Sequence, residues 1–179
     1  MRQSISLITR ISLVVTLVLL GFSLSCQQQA RVIITDQEAN ALLEGLLEVY
    51  NEGNFAITED VFTADFVLHH CGFPEDLVGI EAFEGFVTEN RTAFPDFRLT
   101  HDQIIAKDDK IASLWTVTGT HTGPFGDLPP TGKKLQISGL AISRIANGKF
   151  AEEWLYFNFL DFYQQLGFTL TPPEAQKQE

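Results

Sequence analysis

The residues best suited to chemistry lie near the carboxyl end of the chain, where alternating apolar residues predict a β-strand over Phe150–Leu160. Glu152, Trp154, Tyr156 and Asn158 occupy every second position of that segment. Side chains two residues apart on a strand project from the same face, so we expect these four on one side of a sheet. The Glu152 carboxylate could act there as a general acid or base. Trp154 and Tyr156 would either line a ligand site or pack in a core or dimer.

Two further carboxylates of this region, Glu153 and Asp161, have the opposite parity and are therefore weaker candidates. On a second predicted strand, His121 shares the parity of Trp115 and Val117. An imidazole titrates close to neutral pH and can serve as base, acid or hydrogen-bond donor. His121 is therefore a candidate acid/base. Trp115 would either contact a ligand or, like the other aromatic residues, pack in a core or dimer.

The run His69-His70-Cys71 combines three residue types that bind metals. Neighbouring residues of a strand point to opposite faces, and no second group at metal-ligand spacing accompanies the run. We therefore predict no metal site. His70 and His101 are expected at the surface or in loops.

Composition restricts the class of protein. The chain has 179 residues, with 12 Lys and Arg against 23 Asp and Glu and a formal net charge of −11. This length fits one domain that buries enough surface to fold without a disulfide or a metal. Binding to nucleic acid depends on clustered Lys and Arg that neutralise phosphates. No nucleic-acid partner is therefore expected.

The amino-terminal segment has the composition of a sorting signal. Arg2 and Arg10 flank a start without acidic residues, and residues 11–25 are an uninterrupted apolar and small-residue run that ends at Cys26. The run is shorter than the about 20 residues of a bilayer-spanning helix, which favours a signal peptide over residues 1–25 that is removed. The sequence before Cys26 resembles a bacterial lipoprotein box and predicts lipidation at Cys26. An ordinary secretory signal is the alternative.

A lipid on Cys26 would anchor the protein to a membrane of the cell envelope, on the periplasmic side or the extracellular surface. Because the chain is acidic, anionic headgroups repel it and the acyl chains alone provide the attachment. Residues 26–34 are then a tether, residues 35–168 the domain and residues 169–179 a flexible tail. Cys71 has no disulfide partner in this organisation.

Helical periodicity dominates the first half of the domain. Residues 35–38 read Thr-Asp-Gln-Glu, the pattern of a capping box, and apolar residues then recur at helical spacing as far as Val49. A shorter helical stretch is predicted over residues 57–62. A third helix is predicted over residues 80–93, because Phe94-Pro95 ends the pattern.

Beyond Phe97 the period changes to two, which predicts strands over residues 97–106, 110–121, 135–145 and 150–160. The last two strands are joined by Asn-Gly, a dipeptide typical of tight hairpins. Helices followed by an antiparallel meander predict an α+β domain: a cone-shaped curved sheet with the helices on its concave face and a cavity between them. Apolar residues on both faces of the last strand also favour a homodimer through the sheet.

Several short motifs occur together and in a fixed order along the domain. They are Phe94-Pro95-Asp96, Trp115-Thr116-Val117-Thr118-Gly119-Thr120-His121-Thr122-Gly123, Pro129-Pro130-Thr131-Gly132-Lys133, Gly148-Lys149, Glu152-Glu153-Trp154 and Gln164-Gln165-Leu166-Gly167. Over residues 42–167 the chain thereby resembles the SnoaL-like polyketide cyclases, also called ester cyclases. The resemblance implies the cone-shaped fold shared with nuclear transport factor 2 and ketosteroid isomerase. It also implies a cofactor-free intramolecular aldol ring closure on a hydrophobic polyketide ester.

That reaction needs a base for a proton beside a carbonyl and hydrogen-bond donors for the enolate oxygen. The resemblance places the family's acid/base Asp four residues after Trp154, where this chain has Asn158. An amide is no general base, but it can donate a hydrogen bond to an oxyanion. The base would then be His121, Glu152 or His69, which stands where the family often has a His.

Three functions of different class are consistent with these patterns. The first is a cyclase or isomerase that acts on a small hydrophobic carbonyl compound without a cofactor. The second is an envelope lipoprotein that binds a hydrophobic ligand and has lost the chemistry. The third is an interaction module that binds a partner protein through the sheet face. The fold alone does not discriminate among them, because function belongs to the site.

Overall fold

The computed structural model describes residues 33–171. The predicted signal peptide, the lipidation site Cys26, most of the predicted tether and the end of the predicted tail lie outside the described residues. Ile34, at the end of the predicted tether, is buried and donates a backbone hydrogen bond to the Asp108 carbonyl over 2.7 Å. Within the described range, no helix is both long and apolar enough to cross a bilayer.

Among the described residues, four α-helices and one 3₁₀ turn form the helical part of the domain. They are α1 (Asp36–Glu52), the turn Phe55–Ile57, α2 (Thr58–Val61), α3 (Ile80–Ala93) and α4 (Phe159–Gln165). The capping box is confirmed: the Glu38 amide donates to Thr35 Oγ1 over 3.2 Å, and the Glu38 carboxylate accepts from the Thr35 amide over 2.8 Å. Helix α1 ends at Gly53, whose φ of 67° lies in the left-handed region.

Six strands form one sheet in the order β2-β1-β6-β5-β4-β3. Their bounds are β1 (Phe62–His70), β2 (Leu77–Val78), β3 (Arg98–Lys107), β4 (Lys110–Thr120), β5 (Lys134–Ala146) and β6 (Lys149–Phe157). The sheet is curved and does not close, with the helices on one side, so the predicted α+β class is confirmed. Every neighbouring pair is antiparallel except β1 and β6, which run parallel.

Strands β1 and β2 were not predicted from the sequence. The pairing of β1 with β6 shifts register between Phe62 and Val67, so the buried positions of β1 do not alternate regularly. A period-two pattern is the signal by which strands are recognised in a sequence. The irregularity removed that signal from residues 62–70.

The hairpin between β5 and β6 follows the predicted Asn-Gly signal. Asn147 has φ of 53° and Gly148 has φ of 73°, as a tight turn with two left-handed residues requires. The far end of β6 differs from the prediction, because the strand stops at Phe157 instead of continuing to residue 160. Asn158 caps α4 there: its side chain accepts a hydrogen bond from the Asp161 amide over 3.2 Å.

The core lies between the helices and the inner face of the sheet, and it is rich in phenylalanine. Phe62, Phe66, Phe83 and Phe150 are fully buried. The ring centroids of Phe62 and Phe83 are 4.5 Å apart, and those of Phe62 and Phe66 are 4.8 Å apart. The first contact packs α3 on β1, and the Phe62 ring also lies 5.4 Å from the Phe150 ring of β6.

Gly139 of β5 leaves space for the Trp115 indole. A Cβ at this position would overlap the indole ring and the Tyr156 carbonyl oxygen. We expect Gly139→Ala to lower the free energy of unfolding by about 1–3 kcal/mol, because the overpacked core must displace Trp115. Urea unfolding measures the change.

Gly85 of α3 provides the matched control, since nothing lies within 4 Å of a Cβ built there. Gly85→Ala should raise stability by about 0.5–1 kcal/mol through helix propensity. Equal effects of the two substitutions would contradict the packing role of Gly139.

Candidate functional site

A predominantly apolar cavity of about 140 Å³ lies between the helices and the inner face of the sheet. Its wall includes Leu46 of α1, Phe86 of α3, Ile137 of β5 and Phe162 of α4. An engineered cavity of about 150 Å³ in another protein binds benzene. The volume therefore suits a small hydrophobic molecule or one ring of a larger one.

The wall contributed by β6 consists of Glu153, Leu155 and Phe157. Glu152 and Trp154 lie on the opposite face of the strand and contact groups outside the cavity. The prediction that Glu153 points away from the site is therefore wrong.

The expected side was taken from Asn158, which lies beyond the end of β6. The face that Glu153 occupies is set by a β-bulge near the hairpin. Ile145 pairs with Phe150, but Arg144 pairs with Glu152 and Ser143 with Glu153, so Ala151 is an extra residue in β6. In a regular hairpin Ser143 would face Glu152, and every later side chain of β6 would lie on the other face.

Glu153 is an ionisable group of the cavity wall and is 5% exposed. Its Oε2 accepts a hydrogen bond from Ser143 Oγ over 3.0 Å. Burial raises the pKa of the carboxyl to about 7, against the opposing effect of the Ser143 hydrogen bond. Both protonation states are then accessible near neutral pH, which a general acid/base requires.

Tyr50, near the end of α1, lines the cavity and is buried. Its ring stacks on Phe97 with centroids 6.2 Å apart and meets the edge of Phe83 at 5.5 Å. Burial and the charge of Glu153 raise the pKa of the phenol well above its ordinary value. Tyr50 therefore keeps its proton and can donate a hydrogen bond into the cavity.

His101 and Trp115 face each other across β3 and β4, and both line the cavity. Trp115 was expected as a ligand contact, and the structure places it in the wall. The prediction of His101 at the surface or in a loop is wrong, because a bulge between His101 and Gln103 lets the first of these pair inward with Trp115. Burial lowers the pKa of His101, which keeps its imidazole neutral near pH 7.

His70, also expected at the surface, is another residue of the cavity wall. Its Nδ1 accepts a hydrogen bond from the Gly72 amide over 3.2 Å, and its ring stacks on Phe73 with centroids 4.2 Å apart. Burial lowers the pKa of His70 to about 4. As the last residue of the unpredicted strand β1, it points inward whereas His69 points outward.

His121 is fully buried but does not belong to the cavity wall. Its Nδ1 lies 3.0 Å from Thr131 Oγ1 and accepts from the Thr131 amide over 3.2 Å. That second contact places the ring proton on Nε2 of the neutral imidazole. His121 thus fixes the loop before β5, packed on Phe94 at 5.2 Å.

Two other predicted residues, His69 and Glu152, come together on the outer face of the sheet. His69 Nδ1 lies 2.8 Å from Asp76, and its Nε2 lies 3.0 Å from Glu152, which also binds Arg144 Nε over 2.9 Å. The His69 ring stacks on Trp154 at 5.0 Å. Burial opposes protonation of His69, but the hydrogen bonds with Glu152 and Asp76 outweigh it and raise the pKa. The His69 and Arg144 contacts lower the pKa of Glu152.

Asn158 and Tyr156 also lie outside the cavity wall. Tyr156 is 57% exposed on the outer face. Asn158 is exposed, and its side-chain oxygen is engaged at the start of α4. Of the sequence-predicted site residues, only Trp115 therefore lines the cavity, and the structure separates it from the outer group of His69, Glu152 and Trp154.

Among residues 33–171, no three His, Cys, Asp or Glu side chains are arranged to hold a metal ion. The polar wall residues that sequence reasoning missed include Tyr50, His70, His101 and Glu153. A usable signal existed for the inner face of β5, whose odd positions Leu135–Ile145 are mostly apolar. The bulge prevents that parity from being transferred to β6 by counting across the hairpin.

The match to known proteins extends over most of the domain. Residues 40–166 match the family model of the SnoaL-like polyketide cyclases. The chain belongs to the SnoaL-like polyketide cyclase family. The resemblance expressed by the sequence motifs is thereby confirmed.

Individual relatives agree with the family assignment. The chain is 29% identical over 143 residues to aklanonic acid methyl ester cyclase DauD of Streptomyces sp. strain C5, covering 75% of this chain and 84% of DauD. It is similar to the solved structure of TsrD from Streptomyces laurentii, with a TM-score of 0.68, 25% identity and coverage of 75% and 98% of the two chains. IdmH from Streptomyces antibioticus gives a TM-score of 0.62 with 27% identity and coverage of 74% and 99%.

The buried carboxyl of Glu153 should make stability depend on pH. The raised pKa means that the folded protein holds this proton more tightly than the unfolded chain, whose carboxyl titrates near 4.5. The stability contribution is complete below pH 4.5 and is lost as pH rises to about 7. We expect wild type to lose about 3 kcal/mol relative to Glu153→Gln over that range.

Urea unfolding of both proteins at pH 5 and pH 8 measures this difference. The contribution of His69 has the same sign, but it is common to both proteins and cancels. Parallel pH dependences for wild type and Glu153→Gln would show that the carboxyl is not perturbed.

Proposed function

We propose that this family member binds a small hydrophobic carbonyl compound in the cavity and catalyses proton-transfer chemistry on it without a cofactor. The reaction class is aldol ring closure or double-bond isomerisation. The observation that carries the proposal is Glu153, a carboxyl with pKa about 7 in a largely apolar cavity. The ring closure named for the relative DauD agrees with this class.

In the proposed reaction, the Glu153 carboxylate takes a proton from carbon beside a carbonyl, and the electrons of that C–H bond form an enolate. Tyr50 donates a hydrogen bond to the enolate oxygen. In ring closure the enolate carbon then forms a bond to a second carbonyl carbon, and the resulting alkoxide takes back the proton from Glu153. In isomerisation the proton returns to a different carbon. The apolar wall excludes water and strengthens the hydrogen bond from Tyr50.

This assignment replaces the sequence-based choice among His121, His69 and Glu152. His121 lies outside the cavity wall and its Nδ1 contacts Thr131, whereas His69 and Glu152 bind each other on the outer face. Asn158 is exposed and does not belong to the cavity wall, which disfavours the expected role as an oxyanion donor. The proposed base is therefore Glu153, which is adjacent in sequence to the predicted Glu152 but lies on the other face of the sheet.

Glu153→Gln should reduce kcat by about 10²–10⁴ on a model diketo ester or a β,γ-unsaturated ketone, because the amide cannot carry the proton. Glu152→Gln is the matched control and should retain kcat, since that carboxylate lies outside the cavity. Steady-state kinetics on proteins of verified fold provide the measurement. Equal losses in both variants, or an activity that only Asn158→Asp creates, would refute Glu153 as the base.

The second candidate is a hydrophobic-ligand-binding envelope lipoprotein without catalysis. It is favoured by the amide at position 158, where the family resemblance expects an Asp, and by the apolar cavity itself. In this alternative Cys26 carries the lipid, and the domain lies on the periplasmic side or the extracellular surface of a membrane of the cell envelope. Binding of hydrophobic probes without turnover, equal in wild type and Glu153→Gln, would select this function.

We further propose a homodimer through the outer face of the sheet. Leu114, Leu140 and Tyr156 are neighbours across β4, β5 and β6, and they are 45%, 40% and 57% exposed. Ile142, in the adjacent row, is 38% exposed. A contiguous apolar patch of this kind is uncommon on a monomer and typical of an interface.

Leu140→Lys introduces a charge at the centre of that patch. We expect it to shift the protein from dimer to monomer while the affinity for a cavity ligand changes less than twofold. Sedimentation of the full chain at several concentrations measures the association. A monomeric wild-type protein at 100 μM would contradict the dimer.

A further inference from the structure

The cavity has a second polar region, distinct from Glu153. His101 and Trp115 are paired across β3 and β4, whereas Glu153 aligns with Ser143 and Ile111 in the adjoining strands. Four residues of β4 separate the two regions, which corresponds to roughly 13 Å along the strand. The wall residues between them are Ser113 of β4, Ala141 of β5 and Leu155 of β6, of which only Ser113 is polar.

The polar atoms of this region are buried and have no hydrogen-bond partner among the described residues. They are Nε1 of Trp115 and both ring nitrogens of His101. Leaving such an atom without a partner costs about 1–3 kcal/mol. Structural polar groups in a core are normally paired within the protein. Thr63 Oγ1 and His121 Nε2 are also unpaired among the described residues, but they lie outside the cavity wall. His101 and Trp115 belong to the wall, where a ligand can pair with their free atoms.

The packing of Trp115 gives its donor a fixed position. The indole lies over Gly139, where a Cβ would overlap it, and meets the Phe157 ring at a centroid distance of 5.8 Å. Trp115 is 4% exposed. Its N–H is therefore a preorganised donor in the cavity wall.

The two side chains together define the chemistry of the ligand group. An indole only donates, whereas a neutral imidazole donates through one nitrogen and accepts through the other. The two nitrogens of one imidazole point in divergent directions, so a single ligand oxygen can pair with only one of them. A carbonyl oxygen accepts from the indole N–H and pairs with His101 only in the tautomer whose ring proton faces it. A hydroxyl oxygen accepts from the indole N–H and pairs with either tautomer, because it can accept from the ring N–H or give its own proton to the ring nitrogen.

We propose that His101 and Trp115 form a subsite that binds the phenolic or enolic hydroxyl of an otherwise apolar ligand, away from Glu153. The inference rests on the proposed function only in that the cavity takes a small hydrophobic molecule. It extends that function by naming the group that orients the ligand. The apolar wall holds the body of the ligand between the two polar regions.

Three probes that differ in one group test the subsite in the full chain at pH 7. They are toluene, 4-methylanisole, which only accepts, and 4-methylphenol, which accepts and donates. If the cavity offered no hydrogen-bond partner for the hydroxyl, burying that group would be unfavourable, and toluene would bind more tightly than 4-methylphenol. With the subsite, calorimetric titration should give 4-methylphenol a Kd about tenfold below that of toluene, as one or two hydrogen bonds produce. The Kd of 4-methylanisole should lie between them.

Two variants remove the donors and keep aromatic bulk. His101→Phe should bring the ratio of the two Kd values to about one or below, and Trp115→Phe should reduce it about threefold. Phe125→Leu, a change in the apolar wall, is the control and should weaken both probes by the same factor. The ratio of the Kd values of toluene and 4-methylphenol for wild type is by itself a test of the subsite. That test remains valid if a variant fails to fold.

Equal binding of toluene and 4-methylphenol to wild type would overturn the subsite, as would a ratio unchanged in both His101→Phe and Trp115→Phe. Glu153→Gln separates the two proposals, because it should abolish turnover and preserve the ratio. If wild type shows the expected ratio of Kd values but turns over no substrate, the proposed catalysis is refuted and the proposed subsite stands. Absence of binding by all three probes would refute both.

Discussion

The extra residue at Ala151 determines which side chains reach the cavity. Alternation along a strand is strict, so one inserted residue exchanges the two faces for the remainder of the strand. With the bulge, Glu153, Leu155 and Phe157 line the cavity. Without it, Glu152 would face the apolar interior. The chemistry of the site therefore depends on a local backbone irregularity as much as on residue type.

The elements that local signals specify were predicted well from the sequence. A capping box, the Phe94-Pro95 pair and an Asn-Gly turn act within a few residues, so the start of α1, both ends of α3 and the turn between β5 and β6 agree with the structure to within one or two residues. Strand β1 depends instead on β6, about 85 positions further along the chain, and its register is interrupted. No local pattern carries that information.

The site was less predictable than the fold for the same reason. Sequence reasoning singled out the segment that contributes the buried carboxyl of the cavity wall, yet it lacked the register that decides between two neighbouring glutamates. His101 presents a related case, because a bulge in β3 aligns it with Trp115 inside the cavity. Residue type and family motif indicated an aromatic wall at Trp115, whereas the assignment of polar residues required the pairing of strands.

Glu152 and Glu153 carry the same functional group, but their positions on opposite faces of β6 give the two carboxyls different properties. Glu152 binds His69 and Arg144 at the outer face, and these contacts hold its pKa below the ordinary value. Glu153 has one hydroxyl partner in an apolar cavity, and burial raises its pKa to about 7. Carboxyls whose environments separate their pKa values in this way commonly divide structural or electrostatic roles from proton transfer. The outer glutamate stays ionised and joins β1 to β5 and β6, so the inner one is the carboxyl that can exchange a proton near neutral pH.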